Sequence, residues 1–151
     1  MNSGPSILLI DDNEDVARSL AFVLDRAGYR TFVMSSGADG LQWARTSQPS
    51  LVISDLEMPD MKGDQVLEAL RHDPATAAIP VILLTGYDES VTSEMKADAV
   101  VTKPFDIKHI LEVVRSLLQN NPGSPLKHIE ENSYMAKSRT SLLANPETAA
   151  K

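Results

Sequence analysis

Five short apolar runs, each followed by a stretch with helical spacing of its apolar positions, organise the first 120 residues. Ser6–Ile10 (SILLI) stops at two aspartates, and Asn13 then caps a predicted helix whose apolar positions are Val16, Leu20, Val23 and Ala27. Gly28 stands just past its end, where a helix often closes on glycine. Arg30–Met34 predicts a second strand. Ser36 with Asp39 three residues on predicts a helix start, with Ala38, Leu41 and Ala44 on its inner face and Pro49 closing the unit. Leu51–Ser54 (LVIS) is the third strand, running into Asp55. After the loop Leu56–Lys62, Gly63–His72 turns Val66, Leu67 and Leu70 to one side until Pro74 breaks the run. Pro80–Leu84 (PVILL) is the fourth strand and runs into Thr85. A two-turn helix is expected over the polar segment Asp88–Ala97, and Ala99–Val101 is the fifth strand, ending at Lys103-Pro104. Asp106 caps a last helix through Gln119, with Ile107, Ile110, Leu111, Val114, Leu117 and Leu118 inward.

Strands that are apolar on both faces and alternate with helices imply an α/β fold, a parallel sheet covered on both sides. The alternation stops at residue 120. Asn120 to Pro125 is a linker by composition, and the polar remainder is expected to be a disordered tail or a single helix over Leu126–Ala144, disorder being favoured. The expected organisation is therefore one domain over residues 5–120 and a linker and tail over 121–151.

Composition narrows the function classes. The chain has 151 residues, 42% of them hydrophobic, which suits a single core. Cysteine is absent, so disulfide frameworks and thiolate metal sites are excluded. No apolar run approaches the ~20 residues of a membrane span. Met1–Ser6 lacks a basic region followed by an apolar stretch, so a secretory leader is not expected and a cytoplasmic location is. The formal charge is −7; residues 1–120 hold 10 basic and 18 acidic residues, net −8, and residues 121–151 hold 4 and 3, net +1. Such an acidic body argues against direct contact with nucleic acid. It suits a site that gathers carboxylates around a divalent cation.

In an open parallel sheet, ligands bind at the carboxyl ends of the strands. Four of the predicted strands end in polar groups fit for phosphoryl chemistry: Asp11-Asp12, Asp55, Thr85 and Lys103. The aspartate pair alone reads equally well as a charge favoured at a helix N-terminus. Asp55 abuts an apolar strand, where a carboxylate is costly unless paired or bound to a metal. Converging carboxylates repel, and a hard cation such as Mg²⁺, which takes carboxylates, waters and phosphate oxygens, relieves that conflict. Lys103 supplies a mobile positive charge aimed by Pro104, best through a cis peptide bond. The Thr85 hydroxyl suits a phosphoryl oxygen.

The segments LLIDDNED, LVISDLEMPDMKGDQVLEALR, VILLTGY and VVTKPFD, in this order and spacing, resemble the receiver domains of response regulators over about residues 5–120. The resemblance implies a flavodoxin-like (βα)5 doubly wound sheet of order 2-1-3-4-5. It implies Asp55 as phosphoacceptor from a partner's phosphohistidine, with Mg²⁺ (or Mn²⁺) held by Asp12, Asp55 and the backbone carbonyl of Glu57, and by Asp11 mainly through water. Lys103 and Thr85 would each hold one phosphoryl oxygen, and Met58-Pro59 and Gly63 would shape the loop after the acceptor. The implied partners are a sensor histidine kinase or histidine phosphotransfer protein and a downstream effector protein, with no nucleic acid or membrane; a homodimer is compatible with this. Such a domain is no enzyme beyond promoting its own phosphorylation and dephosphorylation.

The sequence departs from that family in two places. Thr85 and Lys103 stand 18 positions apart, about one helical turn less than usual, which shortens the expected fourth helix. Val100 occupies the place of a switching aromatic; Tyr87 is either its substitute or, slightly favoured, an ordinary surface tyrosine. These departures lend weight to an alternative, a degenerate receiver acting as a phosphorylation-independent interaction module. A phosphatase using Asp55 for turnover is disfavoured, because no inserted loop is long enough to wall a substrate pocket.

Overall fold

The periodicities become structure with small adjustments at the ends of elements. The computed structural model describes residues 4–86 and 96–119. Among them are β1 (Ser6–Ile10), α1 (Glu14–Arg26), β2 (Arg30–Met34), α2 (Gly37–Ser47), β3 (Leu51–Asp55), α3 (Gly63–His72), β4 (Val81–Thr85), β5 (Ala99–Thr102) and, as the fourth described helix, α4 (Ile107–Gln119). Tyr87, nearly all of the expected helix Asp88–Ala97, and the tail 121–151 lie outside the described residues. The chain divides into two units, residues 1–111 and 112–151. Of the second, the described part is the remainder of α4, in which Val113 and Val114 are buried.

The five strands form one parallel sheet of order β2-β1-β3-β4-β5. This is the flavodoxin-like, doubly wound arrangement. β1 and β3 lie side by side at its centre, and the chain leaves them in opposite directions, which opens a crevice at their carboxyl ends. Every residue of β3 and β4 is buried, as expected for strands covered on both faces. Leu8, Ile10, Val52, Val81 and Leu83 cluster with Leu41 and Ala44 of α2 and with Val66, Leu67 and Leu70 of α3. Their alternates Ile7, Leu9, Leu51, Ile53, Ile82 and Leu84 are equally buried and point to the other face. α1 packs against β1 and β2, and its buried Ala17, Leu20 and Leu24 stand outside that cluster.

Several inner faces are rotated from the sequence reading. In α1 the buried stripe is Ala17-Leu20-Leu24; Val16 and Val23 flank it, and Ala27 is the exposed C-cap before Gly28, which turns at φ 105°. Both stripes satisfy a 3.6-residue period, and only the sheet decides between them. In α2, Ala38 is exposed while Gly37 and Gly40 are buried; a Cβ at Gly40 would meet the Ile10 side chain, and one at Gly37 would press on Met61 and Val66. In α4, Ile107 is 36% exposed and Val113, absent from the expected inner set, is buried. β2 is an edge strand and mostly exposed, so the expectation of apolar cover on both faces fails for it.

Candidate functional site

β1 delivers the first acids. Its hydrogen-bonding continues one residue past the strand, with Asp11 N donating to Met34 O at 3.1 Å. This carries the Asp11 side chain into the crevice, where the residue is only 1% exposed. Asn13 N donates to Asp11 Oδ1 at 2.9 Å, and Asn13 Oδ1 accepts from Asp15 N and Val16 N. The same asparagine therefore starts α1 and holds the aspartate turn. Asp12 follows on the exposed side.

β3 ends in Asp55, 6% exposed, and β4 ends in Thr85, fully buried, one position beyond the Asp55–Leu84 pair. Lys103 N donates to Thr85 O at 2.7 Å, the Lys103–Pro104 peptide is cis, and Lys103 Nζ lies 3.1 Å from Asp55 Oδ1. Carboxylate oxygens of Asp11, Asp12 and Asp55 all come within 4.8 Å of one another. Burial pushes the Asp11 carboxyl above its ordinary range; the Asn13 hydrogen bond opposes this, the negative charge of Asp55 adds to it, Lys103 opposes it, and Asp12 adds a little. Asp11 Oδ2 is buried and has no hydrogen-bond partner among the described residues. A buried acceptor left in that state is unfavourable by about 1–3 kcal/mol. A cleft of about 260 Å³, lined by Asp11, Glu14, Arg18, Val33 and Ser35, opens beside it with room for water.

Glu57 lies exposed in the loop after the acceptor. That loop is closed at its base: Leu56 N donates to Leu84 O, and Gly63 N to Leu56 O, both at 2.8 Å. A Cβ at position 63 would stand 2.5 Å from Asp55 O, so only glycine lets α3 begin this close to the acceptor. Met58 is buried in the core cluster. Val100, which stands where the family has a switching aromatic, is half-buried and also packs on that cluster.

Sequence reasoning missed Asp60. Its carboxylate accepts from Gly37 N and Ala38 N, both at 3.1 Å, at the start of α2. The Gly37 bond, with help from Ala38 and against slight burial, holds this carboxyl below its ordinary range. No local signal announces a cap supplied by an aspartate 23 residues further along the chain.

The comparisons with known proteins show the family and the fold. The family model described as the response regulator receiver domain matches residues 7–115. A protein of Synechocystis sp. called DNA-binding dual master transcriptional regulator RpaA is 36% identical over 132 residues, 83% of this chain and 55% of that protein. The alkaline phosphatase synthesis transcriptional regulatory protein PhoP of Bacillus subtilis is 31% identical over 132 residues, 82% of this chain and 54% of its own length. The chain thus spans about half the length of these relatives, and DNA binding is a statement about the Synechocystis protein. The expectation that this chain makes no direct nucleic-acid contact gains no support from their names. Among solved structures, the signal receiver domain of a signal transduction histidine kinase from Syntrophus aciditrophicus superposes with a TM-score of 0.75 at 31% identity, covering 80% of this chain and 95% of that one. No described helix is long and apolar enough to cross a membrane.

Proposed function

The chain belongs to the response regulator receiver domain family, and from that premise we propose that it is the phosphoacceptor of a two-component system or phosphorelay, with Asp55 as the acceptor. The observation that carries the reading is the meeting of Asp11, Asp12 and Asp55 at one sheet edge with the Lys103 ammonium 3.1 Å from Asp55. Asp55 Oδ attacks the phosphorus of a phosphohistidine on a partner kinase or phosphotransfer protein. The P–N bond breaks, its electron pair leaves with the imidazole nitrogen, and an acyl phosphate forms on Asp55. Lys103 and Thr85 each hold one phosphoryl oxygen, which positions the group and neutralises charge in transfer and in its reversal by water.

The acids fit a hard divalent cation, because three carboxylates crowd together and Asp11 Oδ2 has no hydrogen-bond partner among the described residues. Asp12, Asp55 and the Glu57 carbonyl would hold Mg²⁺ (or Mn²⁺) directly, and Asp11 mainly through water. The cation supplies Lewis-acid neutralisation of the phosphoryl oxygens. The domain acts on itself alone, promoting its own phosphorylation and dephosphorylation, and it signals by changing its grip on an effector protein. Residues 5–120 carry these roles, with 121–151 as linker and tail, and the setting is cytoplasmic.

Acetyl phosphate with MgCl₂ tests the assignment by intact mass. One added phosphoryl group on the wild type and none on Asp55→Asn is expected. Equal labelling of both removes Asp55 as acceptor, and no labelling of the wild type favours the phosphorylation-independent module instead.

A further inference from the structure

The loop between Asp55 and α3 is held at three places, and one of them reaches an element that takes no part in the chemistry. Its base is closed by the Leu56 and Gly63 hydrogen bonds, and Met58 is sunk in the core. Its tip is fastened by Asp60 across both of the first two amides of α2. The fit there is close. A Cβ added to Gly37 would lie 3.0 Å from both Met61 Cβ and Val66 Cγ2, so the glycine lets the loop seat directly on the helix start. α2 itself already has a local cap, Ser36 Oγ accepting from Asp39 N at 3.2 Å. The helix therefore does not depend on Asp60 alone for its N-terminal amides, whereas among the described residues the loop is hydrogen-bonded to α2 through Asp60 alone.

We infer that Asp60 is a positioning residue for the cation: by clamping the loop tip to the N-terminus of α2 it fixes the direction of the Glu57 carbonyl between the clamp and the Leu56 anchor. This rests on the proposed role of Glu57 as a ligand. The carboxylate is suited to the task, since it accepts two amides at once and stays ionised near the positive end of a helix. Outer groups that orient a ligand typically change metal affinity by about 10–100-fold when removed, and a surface clamp belongs at the low end of that range.

Calorimetric titration of the unphosphorylated chain with MgCl₂ tests this without reference to activity. For Asp60→Ala the dissociation constant for Mg²⁺ is expected to rise about 10-fold, and Asp60→Asn, which keeps one acceptor oxygen, falls between it and wild type. Ser36→Ala removes the local cap of α2 without touching the loop; it should lower the melting temperature and leave the Mg²⁺ affinity unchanged. In phosphorylation by acetyl phosphate, the Mg²⁺ concentration at half-maximal rate should rise for Asp60→Ala, and excess Mg²⁺ should recover the rate. Wild-type affinity in Asp60→Ala, or an equal loss of affinity in Ser36→Ala, overturns the inference and leaves the acceptor assignment standing. A wild-type chain that binds no Mg²⁺ overturns both.

Discussion

Replacing Asp11 by asparagine is expected to stabilise the protein when divalent cations are absent and to weaken its response when they are present. Asp11 is 1% exposed, and its carboxylate lies within 4.8 Å of oxygens on Asp12 and Asp55. Two unit charges at 4.8 Å repel by about 3.5 kcal/mol at an effective dielectric near 20. Lys103 offsets part of this at the Asp55 side, and solvent screens the exposed Asp12. Asparagine removes the charge and can keep the bond from Asn13 N through its own carbonyl oxygen. A net gain of about 1–3 kcal/mol remains, or about 4 °C in melting temperature for each kcal/mol in a domain of this size.

The sign with pH follows from the raised carboxyl. The folded state holds the Asp11 proton more tightly than the unfolded state, whose value is near 3.8. Wild-type stability from this group is therefore present at low pH and is lost as pH rises through the raised folded value; Asp11→Asn lacks that loss. Melts in EDTA read the difference directly. With Mg²⁺ at 100 times its dissociation constant the wild type should gain about 2.7 kcal/mol and the variant much less, so their order reverses or nearly so. An Asp11→Asn protein that melts at or below wild type in EDTA at pH 7 refutes the reasoning and makes Asp11 a structural carboxylate.

Gly63→Ala drives a Cβ to 2.5 Å from Asp55 O, a backbone atom that cannot swing aside; a loss of about 1–3 kcal/mol in urea unfolding, with slower phosphoryl uptake, is expected. Arg71 donates to Ala77 O at 3.2 Å, to Ile79 O at 2.7 Å and to Asp98 at 2.7 Å. Arg71→Met should therefore lower stability by about 1–3 kcal/mol while leaving phosphorylation intact, since these contacts lie at the amino end of β4. Asp60, held below its ordinary value by the α2 amides, contributes stability that is present above its unfolded value and lost as pH falls through its folded value. Acid unfolding of Asp60→Asn should accordingly be shallower than wild type; identical acid limbs would remove the clamp from the stability of the fold.

What the sequence determined by itself is what depends on near neighbours. Short continuous apolar runs and period-3.6 spacing located the described elements to within a residue or two. Asn13 and Ser36 cap their helices through amides two or three residues away, a reach that local reading covers. The polar strand ends were legible for the same reason, because an apolar run must stop where the chain leaves the core. Tertiary structure decided the rest. Two stripes of α1 fit one period, and contact with the sheet chose Ala17-Leu20-Leu24. β2 reads like the inner strands until the strand order puts it at an edge. The unpartnered Oδ2 of Asp11, and the hold of Asp60 on a helix 23 residues earlier, arise from distances through space. Such distances are set by the packing of the whole sheet, and no window along the chain encodes them.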